Sequence, residues 1–418
     1  MKPAGIPRWA RAIAALGALA FSGVATTARA DDDRDARSFV YVMTNPAGPN
    51  AVEAYSRDQR TGALTRRGRF PTGGTGDPFV AGFEQHALVA DHDTLYAVNP
   101  GSDTISAFSI RGDGGLRLLG RVPSGGRRPV SLALTEGVLY VANQGNPPTG
   151  LPEQASYSGF RVHRDGRLTP IPGSTVLLNA GDSPADVVFG RNGGVLVGSR
   201  LVGNLIDSFV VDGNGRLSRQ RTIPGGGGPY GLLAGPANPS ILLAALAVPE
   251  FFPGEQAPGV ASYRVSRNGE LQPLDSYTDP DLSDEGLRDP CWLAATPDGR
   301  YVWTSSFIPR LLTLFAVDRR GRLTRVSSYN PLDSEDGVVV GSTDIALSRD
   351  GRFLYQLRAF SVPDGSTPVV PRVKVLRVTR DWENDAGLRE VQEVRLPADL
   401  AGSGVMGLVV TGRGRDRD

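Results

Sequence analysis

The 418-residue chain contains one cysteine, Cys291, three histidines and only two lysines, Lys2 and Lys374. A lone cysteine excludes an internal disulfide, so the fold must be held by packing and hydrogen bonds. His86, His92 and His163 are the whole supply of the side chain that most often acts as a general base near neutral pH. Charge of one sign is missing too: 45 Lys and Arg stand against 44 Asp and Glu. Without a basic excess, nucleic acid is not an expected partner. Beyond the first 30 residues no stretch carries a sustained helical stripe. What is abundant is glycine, at 53 residues, and proline, at 32, the residues that punctuate short strands.

That punctuation is periodic. Seven times a strand-like segment with Tyr or Phe near its start runs into a turn ending Gly-x-Leu or Gly-Leu. Six copies are clear: Tyr55 to Leu64, Phe108 to Leu116, Phe160 to Leu168, Phe209 to Leu217, Tyr263 to Leu271 and Phe315 to Leu323. A looser seventh ends at Gly387 and Leu388. From leucine to leucine the steps are 52, 52, 49, 54, 52 and 65 residues. Such a period is too long for helical solenoid repeats and fits propeller blades.

Each period holds four strand signals in one order. An apolar strand A follows a Gly/Pro/Asp cluster, as in Pro129-Val130-Ser131-Leu132-Ala133-Leu134. A tight turn leads to a β-rich strand B, such as Tyr301-Val302-Trp303-Thr304. An alternating strand C, such as Ile206-Asp207-Ser208-Phe209-Val210-Val211, precedes the Gly-x-Leu turn and a more polar strand D. The first repeat begins at strand B (Phe39 to Met43), while the last segment, Val405-Met406-Gly407-Leu408-Val409-Val410, has no B, C or D after it. This predicts an all-β, seven-bladed β-propeller of four-stranded antiparallel blades, closed by pairing of the N- and C-terminal strands in blade one, which removes an open sheet edge.

The first 30 residues read as an export signal. They have a basic start (Lys2, Arg8, Arg11), an apolar stretch from Ala12 to Ala25 and an Ala28-Arg29-Ala30 cleavage site. That stretch is too short for a convincing membrane span. Cleavage would remove four cations, leaving 41 against 44 acids and a net charge of −3. The expected organisation is residues 1–30 as signal peptide, 31–411 as a single propeller domain and 412–418 as a polar tail. The mature protein is expected to be periplasmic or extracellular, with no membrane span.

Pro297-Asp298-Gly299-Arg300-Tyr301-Val302, the variant Ser348-Arg349-Asp350-Gly351-Arg352-Phe353-Leu354-Tyr355 and the repeated Gly-x-Leu turns resemble the lactonase family of seven-bladed propellers. That family includes 6-phosphogluconolactonases and propeller-type carboxymuconate cycloisomerases. The resemblance spans residues 39–410. It implies a Pro-Arg-His sequence at the channel entrance, giving a cation for a carboxylate or phosphate and an imidazole near the scissile carbonyl. This chain has Pro184-Ala185-Asp186 in that place. One architecture hosts many activities, so the resemblance specifies fold more than reaction.

In such blades the D-to-A and B-to-C connections share one face, and nearly all loop length sits there: residues 144–157, 247–259 and 359–372 between B and C, 278–289 and 330–341 between D and A. Long loops on a rigid scaffold are where sites usually lie. The channel mouth is read from the first residues of each A strand, beginning with Asp77-Pro78 in blade two. On this reading the three histidines lie in or beside A-to-B or C-to-D turns, on the opposite face, as surface residues. A hydrolase without imidazole at its pocket needs a carboxylate or a metal-bound water. Asp186 and Asp344, each two residues into its A strand, are the candidate catalytic groups; aspartates at strand starts also commonly tie down backbone amides. Arg128 and Arg200 are candidate grips for an anionic ligand, with Tyr230 and Trp292 as candidate substrate-binding aromatics. Two acidic clusters, Asp279, Asp281, Asp284, Glu285, Asp289 and Asp333, Glu335, Asp336, would suit a hard cation such as calcium, yet neither has the spacing of a dedicated calcium loop. Cys291 beside Trp292 reads as packing, since no base accompanies it.

Two functions follow. One is an exported lactonase-like enzyme opening or forming a lactone of a sugar acid or muconate-like acid, with Arg128 or Arg200 orienting the carboxylate. The alternative is a non-catalytic propeller that binds a protein, polymer or small anionic ligand through its long-loop face.

Overall fold

In the computed structural model the described residues are 38–412, apart from 81–83, 92, 146–153, 248–256, 280–286, 308–310, 331–333, 336–337 and 363–367. The expected signal peptide, residues 1–30, and most of the expected polar tail therefore lie outside them. Seven antiparallel sheets succeed one another along the chain. Blade 1 combines Ser38–Met43 (B), Pro49–Arg57 (C) and Leu64–Thr75 (D) with the last strand, Met406–Val410 (A). Blade 2 runs Leu88–Asp91, Thr94–Asn99, Thr104–Ile110, Leu116–Pro123 in the order A to D. Blade 4 runs Pro184–Gly190, Val195–Arg200, Leu205–Val211, Leu217–Pro224. Blade 5 runs Pro229–Ala234, Ile241–Leu246, Gly259–Val265, Leu271–Thr278. Blade 6 runs Pro290–Ala295, Tyr301–Ser306, Leu312–Val317, Leu323–Tyr329.

Two blades elaborate the scheme. In blade 3, after Pro129–Thr135, Val138–Asn143 and Gln154–Val162, the outer strand is split into Leu168–Pro170 and Val176–Ala180, and both halves pair with strand C. In blade 7, strands Val338–Leu347, Phe353–Val362, Arg372–Val378 and Leu388–Arg395 are preceded by a short Ser334–Glu335 strand that pairs with the start of strand A.

The Gly-x-Leu repeat has a conformational and a bonding cause. All seven repeat glycines, Gly62, Gly114, Gly166, Gly215, Gly269, Gly321 and Gly387, have φ between 65° and 86°, the left-handed region that only glycine enters without steric cost. At this turn each blade accepts a hydrogen bond from the blade before it. Tyr41, Tyr96 and Tyr140, on strands B of blades 1 to 3, donate their hydroxyls to the carbonyls of Gly114, Gly166 and Gly215 at 3.1, 3.0 and 2.7 Å. Ser208 and Ser262 do the same to Gly269 and Gly321 at 2.5 and 2.6 Å. Trp303 Nε1 reaches the carbonyl of Ala386 at 2.9 Å, and Tyr355 closes the circle onto Gly62 at 3.0 Å. Buried apolar side chains fill the space between adjacent sheets, as where Tyr140 of blade 3 meets Phe189 of blade 4 edge-on at 6.2 Å.

The terminal strands close the ring as their pattern predicts: Val40 pairs with Val410, Tyr41 with Val409 and Val42 with Leu408. Ser38 Oγ, at the start of the first strand, also donates across this junction to the Thr411 carbonyl just beyond the last, at 2.5 Å. Two outcomes test these contacts. Removing residues 405–410 exposes the inner edge of blade 1 and abolishes a single cooperative thermal transition in calorimetry; a soluble, cooperatively melting truncation contradicts the closure. Tyr140→Phe leaves a buried turn carbonyl without its donor and lowers unfolding free energy in urea titration by about 1–3 kcal/mol.

Candidate functional site

The inner strands leave an axial cavity of about 840 Å³, walled by apolar A-strand residues such as Val89, Leu132, Val187, Leu293, Ile345 and Leu408. Asp91 and Glu136, at the ends of A strands, stand toward its short-turn side; Gln85, His86 and Asp344 line its inner part. Residues 84–87 lie across the channel near the starts of the A strands and are stitched to four blades. His86 O accepts Leu132 N of blade 3 at 3.0 Å, and Gln85 N donates to Ala185 O of blade 4 at 3.4 Å. Glu84 O accepts Trp292 Nε1 of blade 6 at 2.8 Å and Tyr230 Oη of blade 5 at 3.4 Å. The Gln85 amide pairs with the backbone of Leu293, Oε1 accepting its N–H at 3.3 Å and Nε2 donating to its carbonyl at 3.0 Å.

The A strands are clasped to each other by side chains at one register position. Ser131 Oγ accepts Val187 N of the next blade at 3.1 Å, Asp186 Oδ2 accepts Leu232 N at 2.8 Å and Asp344 Oδ2 accepts Leu408 N at 2.7 Å. Blade 5 has Gly231 at this position, and Gln85 Oε1 takes over the vacant role toward Leu293. A Cβ on Gly231 would meet that oxygen at 2.1 Å and the Cys291 carbonyl at 2.4 Å.

Asp186 carries a second load. Its carboxylate, wholly buried, also accepts Ser131 Oγ at 2.7 Å, Val187 N at 2.9 Å and His86 Nδ1 at 2.9 Å. With Nδ1–H directed at the carboxylate, Nε2 is left for chemistry; the His86 side chain is 30% exposed and borders the cavity. Burial opposes the charged ring, but the Asp186 charge, the hydrogen bond to it and the Asp344 charge together hold the imidazole pKa above its ordinary value. Asp344 is pushed up to about 7, chiefly by burial and further by Asp186, against the lowering effects of His86 and the Leu408 and Ile345 amides. Glu84 is fully buried, neither carboxyl oxygen has a hydrogen-bond partner among the described residues, and burial followed by the Asp344 and Asp186 charges holds its pKa well above the usual carboxylate range. The set comprises one imidazole held by one carboxylate, flanked by two carboxyls whose pKa values burial raises.

His86 corrects the expectation that no imidazole stands at the channel. The apolar run after Asp77-Pro78 imitates the start of strand A in blade 2, yet that strand is Leu88–Asp91 and Phe79 is 79% exposed. The described residues 76–80 and 84–87 instead belong to the D-to-A connection. A usable signal was Leu88-Val89-Ala90 immediately before Asp91-His92-Asp93, which makes a short A-to-B hairpin as in blade 3. His163 sits in a C-to-D turn, bonded to Thr169 Oγ1 at 2.9 Å, and His92 lies outside the described residues.

Of the sequence candidates, Asp186 and Asp344 converge with His86 on the channel. Tyr230 and Trp292 are buried and hold the Glu84 carbonyl instead of lining the cavity. Arg128 pairs with Asp77. Arg200 is enclosed in blade 4 between Asp182 at 2.7 Å and Asp207 at 2.6 Å. Among the described residues no group of three or more His, Cys, Asp or Glu side chains is arranged to hold a metal ion. Asp279 is bonded to Arg325 at 2.9 Å; Asp281, Asp284, Glu285, Asp333 and Asp336 lie outside the described residues, as do the side-chain surroundings of Glu335.

Three groups whose folded pKa exceeds the unfolded value make the native state the better proton binder, so their stabilisation is complete below the unfolded values and is lost as pH rises through the folded ones. For the carboxyls the loss begins above about pH 4 and for His86 above about 6.5. The melting temperature therefore falls between pH 5 and pH 8, and Glu84→Gln, neutral at every pH, reduces that slope. Scanning calorimetry across this range checks it; an unchanged slope in the variant contradicts the assignment of Glu84.

No curated protein matches the sequence significantly. By fold, the chain is similar to a periplasmic gluconolactonase of Pseudomonas aeruginosa at 18% identity and TM-score 0.65, over 90% of this chain and 98% of that one. It is also similar to a candidate 6-phosphogluconolactonase of Bacteroides uniformis at 18% identity and TM-score 0.63, over 90% and 100%. Hydrazine synthase of Kuenenia stuttgartiensis shares the fold at 16% identity and TM-score 0.53, over 81% and 97%, so the architecture alone does not name a reaction. Residues 34–147, from the first strand through strands A and B of blade 3, match the family model for lactonases of the seven-bladed β-propeller type.

Proposed function

We propose that the chain is a lactone hydrolase whose general base is His86, oriented by Asp186. The observation that carries the reading is the 2.9 Å contact from His86 Nδ1 to a buried carboxylate, on a ring that borders the axial cavity. The lactonase family match over residues 34–147 and the gluconolactonase-like neighbours support the substrate class. In this mechanism Nε2 takes a proton from water as the water oxygen bonds to the lactone carbonyl carbon. When the acyl C–O bond breaks, the imidazolium returns that proton to the departing ring oxygen, giving the open hydroxy acid. Asp186 stays a carboxylate and stabilises the imidazolium. The described cavity lining includes Asp91, Glu136 and Asp344 but no arginine or lysine, which favours an uncharged sugar lactone over a phosphorylated or muconate-like one. Export, read from residues 1–30, belongs to the same proposal and agrees with the periplasmic location of the Pseudomonas aeruginosa protein.

One observation favours the second reading, a non-catalytic propeller. The oxygens of Asp186 and Asp344 are already engaged by backbone amides of their own and neighbouring blades, a purely structural duty. The two readings separate on kinetics. Hydrolysis of an uncharged aldonolactone by the mature protein rises with pH through a single pKa above about 6.5. His86→Gln lowers kcat/KM about 10²- to 10⁴-fold without a matching loss of melting temperature. Asp344→Asn, by removing a negative charge near the ring, moves the rising limb toward acid. No turnover across uncharged, phosphorylated and muconate-type lactones, or full activity in the His86 variant, overturns the enzyme reading.

A further inference from the structure

A cluster of arginines on the short-turn face, where blade 7 meets blade 1, is independent of the channel. At its centre is Phe353, the fully buried first residue of strand B in blade 7. The C-to-D turn of blade 1 packs onto it so tightly that a Cβ on Gly62, whose φ is +80°, would meet the ring at 2.2 Å. Three guanidinium carbons surround the ring: Arg377 at 4.9 Å, Arg57 at 5.3 Å and Arg352 at 5.8 Å from its centroid.

Arg57 is internally neutralised by Asp350 at 2.7 Å and also donates to Tyr355 Oη at 3.0 Å. Arg352 and Arg377 have no carboxylate partner among the described residues. Their Nη2 atoms converge on one acceptor, the carbonyl of Arg60, at 3.4 and 3.3 Å. The register partner of Arg377 on strand D is Arg389, so two cations stand side by side on the same face of adjacent strands, an arrangement that destabilises a sheet. Arg60, whose carbonyl they share, has an exposed side chain whose charge acts on Asp58 of the same turn. Of the nearby acids, Asp58 Oδ1 accepts the Arg60 and Thr61 amides of its own turn at 2.8 and 2.7 Å, and Glu390 is bonded to Lys374 at 2.9 Å; neither is hydrogen-bonded to Arg352, Arg377 or Arg389 among the described residues.

Like charges held this close against a rigid ring need a counter-ion, and planar guanidiniums suit a partner with several oxygens in one group. We propose that Arg60, Arg352, Arg377 and Arg389 form an oxyanion site that takes a phosphate or sulfate group at the junction of blades 7 and 1.

The test uses the full mature chain. Orthophosphate and sulfate are titrated calorimetrically against chloride at equal ionic strength, and sedimentation with phosphatidylglycerol vesicles is compared with phosphatidylcholine vesicles. The double variant Arg377→Gln/Arg389→Gln removes two cations from a half-buried and an exposed strand position that face each other and is expected to keep or raise the melting temperature. Wild-type binding of phosphate or sulfate that weakens at least about tenfold in the variant supports the proposal with a soluble ligand. Retention on phosphatidylglycerol alone, lost in the variant, supports it with a lipid headgroup as the source. Absence of binding beyond the chloride and phosphatidylcholine controls, or undiminished binding in a folded variant, overturns it. Since none of the four arginines touches the channel, lactone hydrolysis is read separately and its presence or absence does not bear on this outcome.

Discussion

The circle of hydrogen bonds that ends on the C-to-D turns is the constraint on which the rest of this structure depends. A four-stranded sheet alone has two open edges and one buried face too few. It becomes a stable unit only when set at a fixed angle against a neighbour. Here the angle is fixed twice over, by apolar packing between sheets and by a side chain from each blade bonding the turn of the next. Four of the seven donors are tyrosines, each with an apolar ring for the interface and a hydroxyl that reaches the turn at its margin. Because the circle closes from Tyr355 to Gly62, no blade is terminal.

With the outer contacts set, the inner strands converge and their own polar groups must be satisfied around an axis that has no further sheet to cover it. Ser131, Asp186 and Asp344 meet this need by accepting amides from the following blade. Where blade 5 has only Gly231, the connection through residues 84–87 crosses the axis and supplies Gln85 instead. The crossing segment brings His86 and Glu84 with it. The chemically interesting groups are thus positioned by the same requirement that completes the inner hydrogen bonding.

Asp186 shows why a structural and a catalytic role are not exclusive. Four donors immobilise its carboxylate, and a carboxylate held that firmly can orient an imidazole and stabilise its charge without itself moving. Glu84 is the counterweight: buried beside two other acids, with no hydrogen-bond partner for its carboxyl oxygens among the described residues, it lowers stability as pH rises. The arginines between blades 7 and 1 show the opposite imbalance on the surface, cations gathered around Phe353 with the local acids already engaged.

The sequence by itself determined the blade count, the strand order and the terminal closure, because each depends on local features that repeat: a left-handed glycine at every C-to-D turn, period-two alternation and a surplus strand A at the end of the chain. It also marked Asp186 and Asp344, since both occupy one register position. Only the tertiary structure decided what those aspartates face. Arg128, Arg200, Tyr230 and Trp292 looked available as sequence but are occupied by Asp77, by Asp182 with Asp207 and by the Glu84 carbonyl. His86 looked peripheral because Phe79-Val80 imitates a strand start, and no local pattern reveals that residues 84–87 cross the axis to reach blades 3 to 6. Repetition is written into neighbouring residues, whereas the contents of the channel arise from groups far apart in the chain, Gln85 and Leu293 or Glu84 and Trp292 being separated by 208 residues, brought together only when the circle is complete.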